Sequence, residues 1–392
     1  MIYLDNAAST QIRQEVLEVI NTELVNSFAN PSSPYSPARN SRVAIDNARK
    51  KFSTIMNCDD NEIIFTSGGT ESDNTAIKGP AFALKNIGNH IITTATEHHA
   101  VLHTCNNLEK QGFDITYLPT DKFGMVTKED VISAIRENTI LISIIYANNE
   151  LGSINPIQEI GEALQKYKGE NSQFPLFHTD AVQAAAYLDL NVAKLGVDLM
   201  SISAHKFNGP KGIGALYMKN GIPFEPLMTG GGQERQKRSG TENIAFISGS
   251  AEAIKLAEKE KTTLNTTTLK LKNKITNHMN NNHKDIIING HPTKSLSNII
   301  NLTIPDVRAD DLISALDLED ICISNGSACT SNSLEPSHVL KSIGIDANLA
   351  LNTIRISLGR NNTEPEIIHF LNIIDNIIDR IRKNKKEFIT NN

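Results

Sequence analysis

Short aliphatic runs recur along the chain with room for one helix between each pair. Residues 62–67, 90–94, 139–146 and 212–218 are apolar through the middle and polar at their ends, the pattern of strands buried on both faces. Between them, apolar residues repeat at helical spacing near 36–56, 70–86, 99–111, 127–137 and 157–168. Two more runs, 175–177 and 198–203, flank an amphipathic stretch and predict a further strand–helix–strand unit. Strands alternating with helices mean βαβ units and a mostly parallel sheet. After Gly230-Gly-Gly and a long helical stretch near 245–280 the texture changes. Strand patterns at 298–304 and 353–358 flank a helix at 309–317, and a helix at 364–384 follows. The expected class is α/β. A large domain with a mostly parallel sheet covers 16–250, and a smaller α+β domain is formed by 1–15 and 251–392.

Composition narrows the function classes. The 392 residues are 39% hydrophobic and 21% charged, ordinary for a globular protein with room for two domains. The net charge of −6 leaves no electrostatic footprint for nucleic acid. The longest aliphatic run, 140–145, is far too short to span a membrane. The start, MIYLDN, lacks the cationic and long apolar segments of a secretory signal. Cysteines at 58, 105, 322 and 329 contain no CxxC spacing, which argues against a disulfide framework and a zinc site. A reduced, cytoplasmic enzyme is expected.

Polar groups gather where the predicted strands end, the edge at which open α/β sheets bind ligands. One run ends in His178-Thr-Asp180 and the next in Ala204-His-Lys206. A carboxylate at one strand end and an amine at another suit pyridoxal phosphate (PLP), which needs an anion beside its ring nitrogen and a lysine at its aldehyde. Gln183, one turn after Asp180, can donate to the ring's phenolic oxygen. Ser67-Gly-Gly69-Thr70 follows a strand and opens a helix, a setting for phosphate, though alone it reads as a capping loop. Ser203 and His205 alternate along the chain and can both face that phosphate. In Thr96-Glu-His98-His99, one imidazole can stack on the ring and shuttle protons; the chemistry does not choose between them. Asn149 stands at a fourth strand end. Arg355, inside Thr353-Ile-Arg-Ile-Ser, offers a fork for a carboxylate, the plain alternative being an outward arginine on an edge strand. Cys329, in Asn325-Gly-Ser-Ala-Cys-Thr-Ser, reads as a thiol presented on a loop. Cys58, Cys105 and Cys322 read as small buried hydrophobes, and the basic run 380–386 as a solvated helix end.

In order, SGGTESDN, TEHHAV, ANNELG, HTDAVQ, SAHKFNGPKG, GGGQERQKRSGTEN, SNGSACTS, LEPSHVL and TIRISLGR resemble the PLP-dependent cysteine desulfurases of the NifS/IscS type, within the class V aminotransferases. The resemblance runs nearly end to end. It implies the aminotransferase-like PLP fold, a homodimer, and conversion of L-cysteine to L-alanine with sulfur held as a persulfide on Cys329. By motif position it implies Lys206 as the lysine on the cofactor aldehyde and His98 as the stacking residue. Asn149, Asp180 and Gln183 become ring contacts. Gly69, Thr70, Ser203 and His205 become phosphate contacts, with Thr241 reaching across from the neighbouring subunit. Asn30, Asn149 and Arg355 become the substrate carboxylate site. No resident metal is implied, although Cys329 can transiently ligate a nascent iron–sulfur cluster. The partner implied is a sulfur acceptor such as an iron–sulfur scaffold. Two departures stand out: Ser324-Asn325-Gly replaces the usual Ser-Ser-Gly, and 387–392 lacks the scaffold-docking tail of IscS-like members. The expected chemistry has Lys206 take the Cα proton and the Cys329 thiolate attack the substrate sulfur. The rivals are a selenocysteine lyase, another class V PLP enzyme that needs no thiol, and a non-catalytic sulfur carrier on the same fold.

Overall fold

The computed structural model describes the backbone of residues 1–169, 174–325 and 335–390, with side chains through Lys385. Seven strands form the main sheet: β1 Ile63–Thr66, β2 His90–Thr94, β3 Asp114–Leu118, β4 Thr139–Ser143, β5 Leu176–Asp180, β6 Leu199–Ser203 and β7 Gly214–Met218. Their spatial order is β1-β7-β6-β5-β4-β2-β3. Every neighbouring pair is parallel except those made by β7, which runs antiparallel to β1 and β6. The link from β6 to β7 is too short for the crossover a parallel neighbour needs, so β7 must turn back. Six of the seven strands are buried at every residue, which is why they read as aliphatic runs rather than alternating ones. The exception, β3, is an edge strand with an exposed Asp114. Its mixed sequence, Asp-Ile-Thr-Tyr-Leu, gave no strand signal.

Helices Ser36–Met56, Gly69–Ala83, His99–Glu109 and Ile157–Lys168 stand where helical spacing places them. The stretch between β5 and β6 corrects the expectation of a full helix. It is a series of tight turns that buries Ala181, Ala184, Ala185 and Ala186, followed by the single turn Val192–Leu195. Asn191 caps that turn and Gly196, at φ 68°, ends it, so the helix has no room to grow.

The long helix Ile244–Asn282 runs through residue 250. Its first part gives Ile247, Ala251 and Ile254 to the core around the main sheet. Its second part gives Leu271, Ile275 and Met279 to a separate core. The second core packs on an antiparallel sheet, ordered β10-β11-β9-β8, of β8 Ile287–Asn289, β9 Ile299–Thr303, β10 Ser324–Asn325 and β11 Thr353–Ser357. Helices Ala309–Asp317 and Glu364–Thr390 supply Leu312, Leu316, Phe370 and Ile374 to it. The last helix continues past the expected 384. Its basic end folds back on the protein, with Arg382 on Asp285 and the Pro305 carbonyl and Lys385 2.7 Å from Asp306. A two-residue strand, Ile2–Tyr3, pairs with Ile321–Cys322 and leads residues 5–10 across the carboxyl edge of the main sheet. Among the described residues, no helix is long and apolar enough to cross a membrane.

Candidate active site

The carboxyl ends of the parallel strands open onto a cavity of about 300 Å³. Asp180 is the last residue of β5 and Ser203 the last of β6. Lys206 ends the single 3₁₀ turn that follows β6, and Gly69 and Thr70 open the helix after β1. These five line the cavity together with His98, Asn149, Gln183, His205 and Arg355. Two residues of the same set lie elsewhere. Asn30 and Thr241 line a separate hollow of about 280 Å³. Cys329 lies outside the described residues.

Sequence reading missed the N-terminal strap. Lys206 Nζ donates to the backbone carbonyls of Ala7 at 2.6 Å and Ala8 at 2.9 Å. Gln183 Nε2 also donates to the Ala7 carbonyl, at 2.8 Å. Thr10 N–H donates to the His205 carbonyl at 2.9 Å. The contacts fall largely on backbone atoms of small residues, so side-chain chemistry gave no signal for them.

Burial sets the charges of the floor. Asp180 accepts a bond from Val182 N–H at 2.9 Å. Burial raises its carboxyl, while that bond and the nearby Lys206 amine oppose the rise and favour the charged form. Asp73, on the helix Gly69–Ala83, brings an oxygen within 4.8 Å of Asp180 and His98. Burial and the Asp180 charge hold Asp73 well above the carboxylate range. His178 lies 3.7 Å from Asp73, yet the two are no ion pair. Burial pushes His178 down to about 3, and its two nitrogens bond to Ser143 and Ser201. Glu97 is raised to about 8, mainly by burial. His98 is lowered to about 4 by burial and by Lys206, and its Nδ1 accepts from Ala100 N–H at 3.1 Å, which puts the proton of the neutral ring on Nε2. The floor therefore presents Asp180 as a carboxylate beside Lys206, among neutral neighbours.

Arg355 sits on β11, an inner strand of the small sheet, and is only 1% exposed. That rules out the outward edge arginine. Its Nη1 donates to the Asn149 carbonyl at 2.9 Å and its Nη2 to Asp5 Oδ1 at 2.8 Å. Glu150 lines the same cavity, accepts from Ser337 Oγ at 2.6 Å, and is raised by burial to about 7.

The segment carrying Thr241 is tied to the Gly69–Thr70 end of the cavity by two pairs. Arg49 grips both carboxylate oxygens of Glu234, at 2.9 and 2.8 Å, with both side chains buried. Glu234 also accepts from the β1 residue Phe65 N–H at 3.1 Å. Arg238 Nε donates to Glu71 at 2.8 Å, next to Thr70. Of the other thiols only Cys105 is fully buried, while Cys58 and Cys322 are half-buried. Burial raises all three, Cys58 to about 12, so none is a ready nucleophile. A larger cleft of about 970 Å³ lies at the opposite end of the strands. Its charges are paired internally, as in Lys168–Asp198 at 3.1 Å.

The family model for class V aminotransferases matches residues 2–370. The cysteine desulfurase IscS of Methanosarcina thermophila is 47% identical over 97% of this chain and 93% of its own. Among solved structures, a NifS-like protein superposes with a TM-score of 0.89 at 35% identity, covering 96% of this chain and 99% of that one. A structure of SspA in complex with cysteine gives a TM-score of 0.80 at 36% identity, over 93% of this chain and 100% of that one.

Proposed function

The chain belongs to the class V aminotransferase family, and from that premise we propose that it is a PLP-dependent cysteine desulfurase. It converts L-cysteine to L-alanine and carries the sulfur as a persulfide on Cys329. The observation that carries this reading is one cavity holding an amine, a buried carboxylate, a helix start and a buried guanidinium at Lys206, Asp180, Gly69 and Arg355.

The residues fit the cofactor on physical grounds. A Cβ on Gly69 would lie 2.8 Å from Val182 Cγ2, so a glycine here keeps the helix start close to the sheet. The first-turn N–H groups, with Thr70, Ser203 and His205 beside them, form a phosphate site. Asp180, a buried anion, calls for a cation such as a protonated ring nitrogen. Lys206 is the amine for the aldehyde. When bound, the cofactor supplies a sink for the electrons left on the substrate Cα.

The chain's own groups do the rest. Asp180 would hold a proton on the ring nitrogen. Lys206 Nζ would hold the aldehyde and, when free, take the substrate Cα proton and later return it. The neutral His98 ring covers the site and can pass a proton through Nε2. Arg355 and Asn149 orient the substrate carboxylate. The Cys329 thiolate forms an S–S bond as the substrate's C–S bond breaks. The electron pair of that bond stays with carbon, which takes a proton and leaves as alanine.

A second copy of the chain completes the site. Thr241 and Asn30 line a hollow shared with Leu24 and Phe28, whose side chains are exposed by 60% and 77%. Such an apolar rim is a natural subunit contact. It would bring Thr241 to the partner's phosphate site. The enzyme is placed in the cytoplasm, with a sulfur acceptor such as an iron–sulfur scaffold as its partner.

The test is L-cysteine-dependent alanine formation by the PLP-loaded protein, with L-selenocysteine assayed in parallel. Lys206→Ala should abolish it. Substantial turnover in that variant, or a strict preference for selenocysteine, overturns the reading.

A further inference from the structure

Arg355 is the largest fully buried side chain among the described residues. A guanidinium stays charged at any physiological pH, and burying one without a counter-charge is strongly unfavourable. Asp5 supplies that charge through Nη2 at 2.8 Å, Asn149 accepts from Nη1, and Nε has no partner among the described residues. Asp5 is itself fixed. The Tyr3 hydroxyl donates to the carbonyls of Asp5 at 3.0 Å and Ser9 at 2.7 Å, and the Asp5 backbone bridges to Ser357, two residues from Arg355.

An incoming substrate carboxylate therefore meets a guanidinium that already holds one. We propose that Asp5 is a positioning residue for the substrate carboxylate: it fixes the fork of Arg355 and, bearing the same charge as the ligand, weakens the grip of Arg355 on it. This deepens the reading of Arg355 as the carboxylate site and rests on it. The weakening has a chemical use. L-Cysteine and L-alanine carry the same carboxylate and amine, so tightness at Arg355 would be shared by substrate and product. Shared binding lowers KM without raising kcat, and it slows release of the product. Glu150, the other carboxyl beside Arg355, is bonded to Ser337 and leaves Asp5 as the direct partner of the fork.

Asp5→Asn tests this, because the amide keeps the size and the Oδ1 acceptor and removes the charge. On the cofactor-loaded enzyme, L-alanine should bind about tenfold tighter by calorimetry, and KM for L-cysteine should fall by a similar factor with kcat not raised. Propionate binding to the cofactor-free protein should tighten in the same direction. Asp5→Glu keeps the charge and should stay within about threefold of the wild type. Should Asp5→Asn fold poorly, Asp5→Ser, which also removes the charge, puts the same question with the same expected sign. Unchanged or weaker L-alanine binding in a well-folded neutral variant overturns the proposal. Arg355→Lys separates the two layers. If it leaves L-alanine binding and KM at wild-type values, the carboxylate reading of Arg355 is wrong. If it weakens both while Asp5→Asn moves neither, only the role of Asp5 falls.

Discussion

Glu97→Gln should make the cofactor-free protein more stable in base while leaving it nearly unchanged in mild acid. Glu97 is fully buried; one oxygen accepts from Ile145 N–H and Thr94 Oγ1, each at 2.8 Å, and the other has no partner among the described residues. Burial raises this carboxyl from an ordinary 4.5 to about 8. An acid raised on folding binds more protons in the folded chain than in the unfolded one, so its favourable contribution is present below 4.5 and lost as pH climbs through 8. Each pH unit inside that window costs about 1.4 kcal/mol, so going from pH 5 to pH 8 removes about 4 kcal/mol through this one group. Glutamine has the shape of the protonated acid and does not titrate. Urea midpoints of the wild type and the variant, measured at pH 5, 6.5 and 8, should diverge as pH rises, with the variant ahead. Other buried acids titrate in both proteins and cancel in the difference. Parallel profiles would refute the burial argument, and with it the neutral surroundings assigned to Asp180.

Cys329→Ser should still take up PLP and show a visible spectral change with L-cysteine, yet form almost no alanine or sulfide. Cys58→Ser, Cys105→Ser and Cys322→Ser should keep turnover, and peptide mass mapping of the bound sulfane sulfur should find it on Cys329; label mainly on another cysteine would sink this assignment. Glu234→Gln breaks the buried pair with Arg49 and should cost about 3–5 kcal/mol. Equilibrium unfolding reads it directly, and a loss below about 1 kcal/mol would mean the pair is not desolvated as described.

Much of the site was legible because parallel strands, buried on both faces, announce themselves as aliphatic runs with polar ends. Asp180, Ser203 and Lys206 all follow such runs, so reading the runs located the residues. The Asp5–Thr10 strap was not legible. It has no period, and its contacts to Lys206 and Gln183 use carbonyls that any residue could supply. Asp73 and Glu150 escaped for another reason. A carboxylate inside a helix or loop reads as a surface charge, and only the fold shows that Asp73 is 1% and Glu150 3% exposed. The turns after Asp180 misled because Ala181, Ala184, Ala185 and Ala186 favour helix, while packing against the core decided otherwise. Thr241 and Asn30 lie apart from the cavity, in a hollow of their own, a separation that motif order along the chain does not reveal.

Asp5 and Arg355 stand 350 residues apart in sequence. During synthesis at about 5–20 residues per second, Asp5 leaves the ribosome roughly 20–70 s before its partner exists. The strand Ile2–Tyr3 waits likewise for Cys322, and the Ala7 N–H for Ser357. The main sheet and its contacts with Ala7, Ala8 and Thr10 can form from residues made early, but the Asp5 carboxylate has no guanidinium partner until β11 is translated. A nascent chain therefore builds Lys206 at the edge of its sheet well before it can present Arg355. The guanidinium joins the amine only after the intervening chain has been made, so the thiol-handling centre is completed late although its amine and carboxylate are set early.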